Sequence, residues 1–350
     1  MTRVVVLLAG ALLAITSCAG GAASPSGPDR PGARPAAIPS GVKTWAELEK
    51  GVPPRIPYIQ DDRYVTPSGP GLDLPTGRRG VSGVARFSGG LLLSDATYFE
   101  GTNGIALVKD GARVRSWPSA GHCSSGGPIG SADGEYVAWV TVRCPESEDT
   151  SVGAVHVARV DGTGEVTQPV GAERVAVVGF LGRSVVYNTG FIRGAWITSS
   201  DGRPRRIPGV DTVQAVSPAT GDLIGQVADR AHLVLDGDGE VLWRAPTGGL
   251  VSFSPDGTKV LGIVAPGRLS VLHSRTGDAA TTIDMPRGAD LESVVWETER
   301  TLLTLLRCDG AVAIVRVHLD GHIERATLPL GLEDDRSPYV LVQAWAAERR

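Results

Sequence analysis

Phe253-Ser254-Pro255-Asp256-Gly257-Thr258-Lys259-Val260-Leu261 reads as a strand end, a tight Asp-Gly turn and the start of a second strand. Looser copies stand at Phe87-Ser88-Gly89-Gly90-Leu91-Leu92-Leu93, Gly130-Ser131-Ala132-Asp133-Gly134-Glu135-Tyr136-Val137, Val216-Ser217-Pro218-Ala219-Thr220-Gly221-Asp222-Leu223 and Val295-Trp296-Glu297-Thr298-Glu299-Arg300-Thr301-Leu302. The anchors recur about every 37 to 49 residues, the range of a four-stranded propeller blade rather than of a helical or leucine-rich repeat. Short Val, Leu and Ile runs alternate with Asp110-Gly111, Asp161-Gly162, Asp201-Gly202, Asp236-Gly237, Asp256-Gly257 and Asp320-Gly321, pairs that suit the positive φ angles of tight hairpins. Helical periodicity is nearly absent after Lys50. The pattern predicts an all-β fold, a single β-propeller, because a sandwich needs fewer strands.

Six complete units fall at roughly 82–118, 122–170, 172–208, 209–246, 247–286 and 287–330. Two strand-like fragments remain, Arg55 to Gly80 and Pro338-Tyr339-Val340-Leu341-Val342-Gln343. An open ring would leave unpaired sheet edges that invite aggregation, and a blade assembled from both termini removes them. Seven blades are therefore expected within one domain, 55–350, with six or eight as the alternatives. The second strand of each unit is the most apolar, as in Tyr136-Val137-Ala138-Trp139-Val140 and Leu302-Leu303-Thr304-Leu305-Leu306. That suits a strand packed between neighbouring blades.

The first residues speak to location. Arg3 precedes the apolar run Val4 to Ile15, too short for a stable membrane span, and small residues follow. Residues 1–17 are read as a signal peptide. Its end, Ile15-Thr16-Ser17-Cys18, resembles the lipobox of bacterial lipoproteins, which implies that Cys18 carries a diacylglyceryl group and becomes the first residue after cleavage. Ordinary cleavage near Ala19-Gly20 is the alternative, and it would make the protein simply secreted. Residues 18–40, nearly all Gly, Ala, Pro and Ser after the cysteine, form a disordered linker. Within 41–54, Thr44-Trp45-Ala46-Glu47 has the form of a capping box and predicts a short helix over Thr44 to Lys50. Pro53, Pro54 and Pro57 then enforce extended chain.

With these features in view, the chain resembles the WD40-like and TolB-like propellers of secreted bacterial proteins, and more narrowly the propeller lipoproteins common in actinobacteria. Phe253-Ser254-Pro255-Asp256-Gly257-Thr258-Lys259 matches the family signature, while the other blades match loosely and lack the Gly-His and Trp-Asp pairs of the eukaryotic repeat. The resemblance implies a scaffold or recognition surface. It carries over no catalytic residue, since in the signature Phe253 fills the core and Ser254, Pro255, Asp256 and Gly257 turn the chain.

Of the four cysteines, Cys123 opens the second complete unit and Cys144 ends its next strand. In an oxidising compartment they are expected to bridge neighbouring strands, closing a loop of about 20 residues worth on the order of 3 kcal/mol. Cys308, in Arg307-Cys308-Asp309-Gly310, is expected to be a free, half-buried thiol. His156, His232, His273 and His318 fall near the third strands of their units and are read as scattered surface or edge side chains rather than metal or acid–base groups; His122 is the least dismissible. Asp236-Gly237-Asp238-Gly239-Glu240 is read as a hairpin turn rather than a calcium loop, and Arg203-Pro204-Arg205-Arg206 as a solvated outer edge. Serine-hydrolase elbows, phosphate loops and zinc-protease motifs are missing, and the net charge of −4 gives no argument for nucleic acid.

The sequence thus leads to a monomeric, lipid-anchored, extracytoplasmic propeller without cofactor or metal, binding an envelope protein, peptide or glycan at one face of its ring. A propeller lyase or hydrolase with a polar site at the channel mouth is the competing class. A third reading has the ring modulate a separate envelope enzyme or transporter. A cluster of His, Glu and Arg converging on the channel from several first strands would favour the enzyme, and a smooth or apolar face the binding module.

Overall fold

A computed structural model describes residues 45–342, apart from 70, 76–80, 96–103, 119–126, 144–151, 171–174, 191–193, 199–202, 228–230, 246–247, 266, 287–288 and 333–336. The fold is all-β, a seven-bladed propeller. Six blades are sequential antiparallel sheets, spanning Val81–Pro118, Ile129–Val170, Val175–Arg206, Thr212–Arg244, Gly249–Asp284 and Asp290–Arg325, numbered first to sixth below. The closing blade has the order Tyr339–Leu341, Tyr58–Gln60, Arg63–Val65, Leu72–Asp73, so both ends of the chain supply it. Its terminal strand pairs Tyr339 with Gln60, Val340 with Ile59 and Leu341 with Tyr58.

Burial shows why the ring holds. The buried apolar residues form seven clusters, and each joins two adjacent blades. Ala138 and Val140 of the second blade meet Val175 and Tyr187 of the third, and Tyr339 of the closing blade meets Leu303 and Ile314 of the sixth. No blade therefore owns its core, and its apolar faces become dry only when both neighbours are present. The second strand of the sixth blade is buried on both faces as expected, from Thr301 to Leu306, whereas that of the fifth is buried over Val260 to Gly262 and exposed over its last three residues. Between the first and second blades the filling is aromatic, with Phe87, Trp117 and Trp139 at centroid distances of 5.3 to 6.5 Å and His156 stacked on Trp139 at 5.0 Å.

The signature works as a turn with internal wiring. Phe253 is wholly buried between the fourth and fifth blades. The Ser254 hydroxyl donates to Asp256 Oδ1 at 2.6 Å and accepts from the Lys259 amide at 3.0 Å, while Asp256 accepts from the Thr258 amide and hydroxyl. Ser131, Asp133, Glu135 and Tyr136 reproduce this wiring in the second blade, so the looser copy is a true repeat of the motif. The described Asp-Gly pairs differ, and at Asp236-Gly237 the expected positive φ is absent, the left-handed residue there being Gly239. Asp110-Gly111 has positive φ at both positions, 50° and 76°, as a two-residue hairpin requires. At Asp161, Asp256 and Asp320 only the glycine is left-handed, because the aspartate instead accepts hydrogen bonds from amides two residues on.

At the N-terminal end the expected helix shrinks to a single 3-10 turn, Trp45–Glu47, and Glu49–Lys50 is a strand running parallel to Ile323–Arg325 on the outer edge of the sixth blade. Seven residues are too few to sustain a helix on propensity alone, whereas the blade edge offers ready hydrogen bonds, including Gly51 N–H to Arg325 O at 2.9 Å. Arg316 fastens this arm. Its guanidinium donates to Val52 O at 3.0 Å, Pro53 O at 2.9 Å and the carboxylates of Glu297 and Glu324. Arg316 and Glu297 are almost fully buried. Burial would raise the Glu297 carboxyl, but the bonds from Arg316, the Arg55 amide and Thr301 outweigh it and hold the group below its usual range.

Candidate binding channel

Five innermost strands share a device. Each of those starting at Val81, Val175, Thr212, Gly249 and Asp290 carries a one-residue bulge against its partner. A bulge bends the strand and adds twist, as an inner rim demands. Residues of six of the seven blades line a cavity of about 450 Å³, among them Val84, Ile129, Val178, Val213, Val294 and Leu341. Its polar side chains among the described residues are Asn188, Gln214 and Ser293, main-chain groups of the lining strands add to them, and none of the described lining residues is an acid, a base or a histidine.

Asn188 has a second task. Its amide donates to Val213 O and accepts from Val213 N–H, both at 2.8 Å, which satisfies the backbone of the next blade's innermost strand at its bulge. His232 does the same one blade on, where Nδ1 accepts from the Leu250 amide at 3.2 Å. Burial keeps the pKa of His232 below the ordinary histidine value, in keeping with a neutral ring that accepts there.

The structure places His156, His232, His273 and His318 on third strands, as the sequence indicates. They do not converge on the cavity, and His156 and His232 are buried rather than at a surface or edge, because each third strand is covered by neighbouring strands and blades. His156 is held by Thr141 and Thr167 through its two ring nitrogens, and burial lowers its pKa against the opposing pull of Glu165. Cys308 is partly buried and forms no disulfide with a described residue; desolvation and Asp309 push its thiol up, away from reactivity. Asp236 spends its carboxylate on the amides of Asp238 and Glu240, closing the turn of the Asp-Gly-Asp-Gly-Glu run. Arg205 and Arg206 form the exposed outermost strand of the third blade. Cys18, Cys123, Cys144 and His122 lie outside the described residues.

Sequence reasoning missed Asn188, the Arg316–Glu297 pair and a grouping of His318, His322 and Glu324. For the pair a signal existed: Glu297 occupies the place that serine holds in the signature, a buried position where a lone carboxylate is untenable without a cation. Compared with known protein families and with curated proteins, the chain matches none.

Proposed function

We propose that this chain is a lipoprotein propeller of the WD40-like and TolB-like type, tethered through Cys18 on the extracytoplasmic face of the membrane, where its ring binds a protein, peptide or glycan. The observation that carries this reading is the uncharged channel. Its described lining mixes aliphatic residues with uncharged polar groups, the side chains of Asn188, Gln214 and Ser293 and main-chain amides and carbonyls, which suits recognition, and it holds no acid–base pair of the kind lyase or hydrolase chemistry needs. The leader and Ile15-Thr16-Ser17-Cys18 support the location. The linker 18–40 supports the tether, since a flexible chain of that length reaches on average about 25 Å, enough to hold a ring clear of lipid headgroups.

The test is in-cell cross-linking of the full-length chain in a bacterial host, followed by detergent extraction, affinity capture and mass spectrometry. Capture of a reproducible envelope partner, reduced by Gln214→Lys at the exposed bulge of the rim, is the expected result. Cys18→Ser should move the protein from the membrane to the soluble fraction. A Cys18→Ser variant that still sediments with membranes in high salt would remove the lipid tether, and turnover of an envelope polymer by the purified protein would replace binding with catalysis.

A further inference from the structure

We propose that His318, His322 and Glu324 form a binding site for a divalent first-row transition ion, of which zinc is the natural occupant, at the outer edge of the sixth blade. The hairpin after Ala311–His318 brings them together. His318 ends one strand, Asp320-Gly321 turns the chain and Glu324 sits in the returning strand, so the two imidazoles flank the turn and the carboxylate faces them. The turn is rigid: the His318 amide donates to His322 O at 2.9 Å, the Gly321 amide to His318 O at 2.9 Å and the His322 amide to Asp320 Oδ1 at 3.0 Å.

The donor atoms of the three side chains lie within 4.8 Å of one another. His318 Nε2 stands 3.9 Å from Glu324 Oε1 and His322 Nε2 3.8 Å from Oε2. Donors on a tetrahedral zinc ion are roughly 3.3 Å apart, so the two imidazole–carboxylate distances need to close by about half an ångström and no pair by more than about 1.5 Å, which a turn of the exposed His322 side chain can supply. Two imidazoles and one carboxylate suit zinc and its neighbours rather than calcium or magnesium, and water would take the open position.

Two further observations point to a cation. His318 Nε2 is sealed from solvent and has no hydrogen-bond partner, an arrangement that leaves a lone pair or a proton unsatisfied unless something binds there. Arg316 lies between Glu297 and Glu324, and these three side chains together keep one negative charge that a metal would offset. Arg316 also acts as the outer partner that fixes the Glu324 carboxylate, the support that ligating groups normally receive. Gly51 packs on the other side of that carboxylate, where any Cβ would overlap it. The ion would therefore lock Glu324 against the N-terminal arm at the point where the arm joins the ring.

The test uses the full-length chain stripped with EDTA and titrated with zinc against a chromophoric chelator. One equivalent should bind. His322→Ala and His318→Gln should each weaken it by at least about tenfold, since loss of even an outer partner commonly costs 10–100-fold. His273→Ala, an exposed histidine on the neighbouring blade, should leave it unchanged. Cobalt substituted for zinc should show ligand-field bands without thiolate charge transfer, which separates this site from any cysteine site. Glu324→Gln, which keeps a partner for Arg316, guards against misfolding as the cause of any loss. Zinc bound equally well by the His318→Gln/His322→Ala double variant, or absent from the folded parent protein, would overturn the proposal.

Discussion

Arg316 is buried with its charge intact, and its surroundings set the consequence of removing it. Arg316→Met leaves Glu297 charged in a dry site and frees the carbonyls of Val52 and Pro53, so a loss of about 3–5 kcal/mol in unfolding free energy is expected from denaturant titration. The Glu297→Leu/Arg316→Met double variant should regain much of it, because apolar groups of similar volume replace a buried pair at little penalty. His156 and His232 give a pH signature. Burial lowers both pKa values, so below about pH 6.5 the unfolded chain takes up protons that the folded state resists. Stability should hold above that pH and fall as pH drops from about 6.5 towards 5, by at most about 1.4 kcal/mol per pH unit for each histidine. Denaturation midpoints measured at several pH values check this, and His232→Gln should flatten the curve. In sequence these histidines read as surface or edge groups; neither their burial nor their partners, Thr141, Thr167 and the Leu250 amide, was legible, since only the folded sheet brings them within reach.

Blades were readable because their turns are local. Ser254, Asp256, Thr258 and Lys259 satisfy one another within six residues, so the sequence carries the whole of that geometry. The bulges of the innermost strands were invisible, because a bulge is a mismatch between two strands and neither strand alone declares it. Likewise the capping box around Thr44 predicted a helix, and the edge of a blade far along the chain drew the residues into a parallel strand instead. Asn188→Ala would strip two bonds from Val213 and leave its amide and carbonyl unmet; a loss of about 1–3 kcal/mol is expected, measurable as a shift of the urea midpoint with the slope unchanged. Within the second blade, the expected Cys123–Cys144 bridge should appear as a linked peptide pair in non-reducing mass mapping, and its reduction should lower the melting temperature without abolishing the fold. Free alkylation of both thiols in the unreduced, denatured protein would remove the bridge.

At the scale of the molecule, seven shared cores make a ring whose strength is that of its weakest junction. Deleting everything after Glu333 removes the innermost strand of the closing blade, with Tyr339 and its bond to Leu328 O. Aggregation or loss of cooperative melting is expected, far out of proportion to the residues removed, while deletion of 19–40 should leave melting unchanged. A truncated chain that melts like the parent in calorimetry would show that the other blades close alone. The leftover fragments at both ends made this closure legible; that the C-terminal fragment takes the innermost place was not. The same placement has a consequence in time. A ribosome or a secretion channel delivers residues in order, and Tyr58 to Gln60 must wait for Tyr339 to Leu341, the last paired strand of all, before their sheet has an inner edge. Until then the completed blades form an open arc with an apolar face uncovered at each end, so ring closure waits on the C-terminal strand, and those faces are open to association until it arrives.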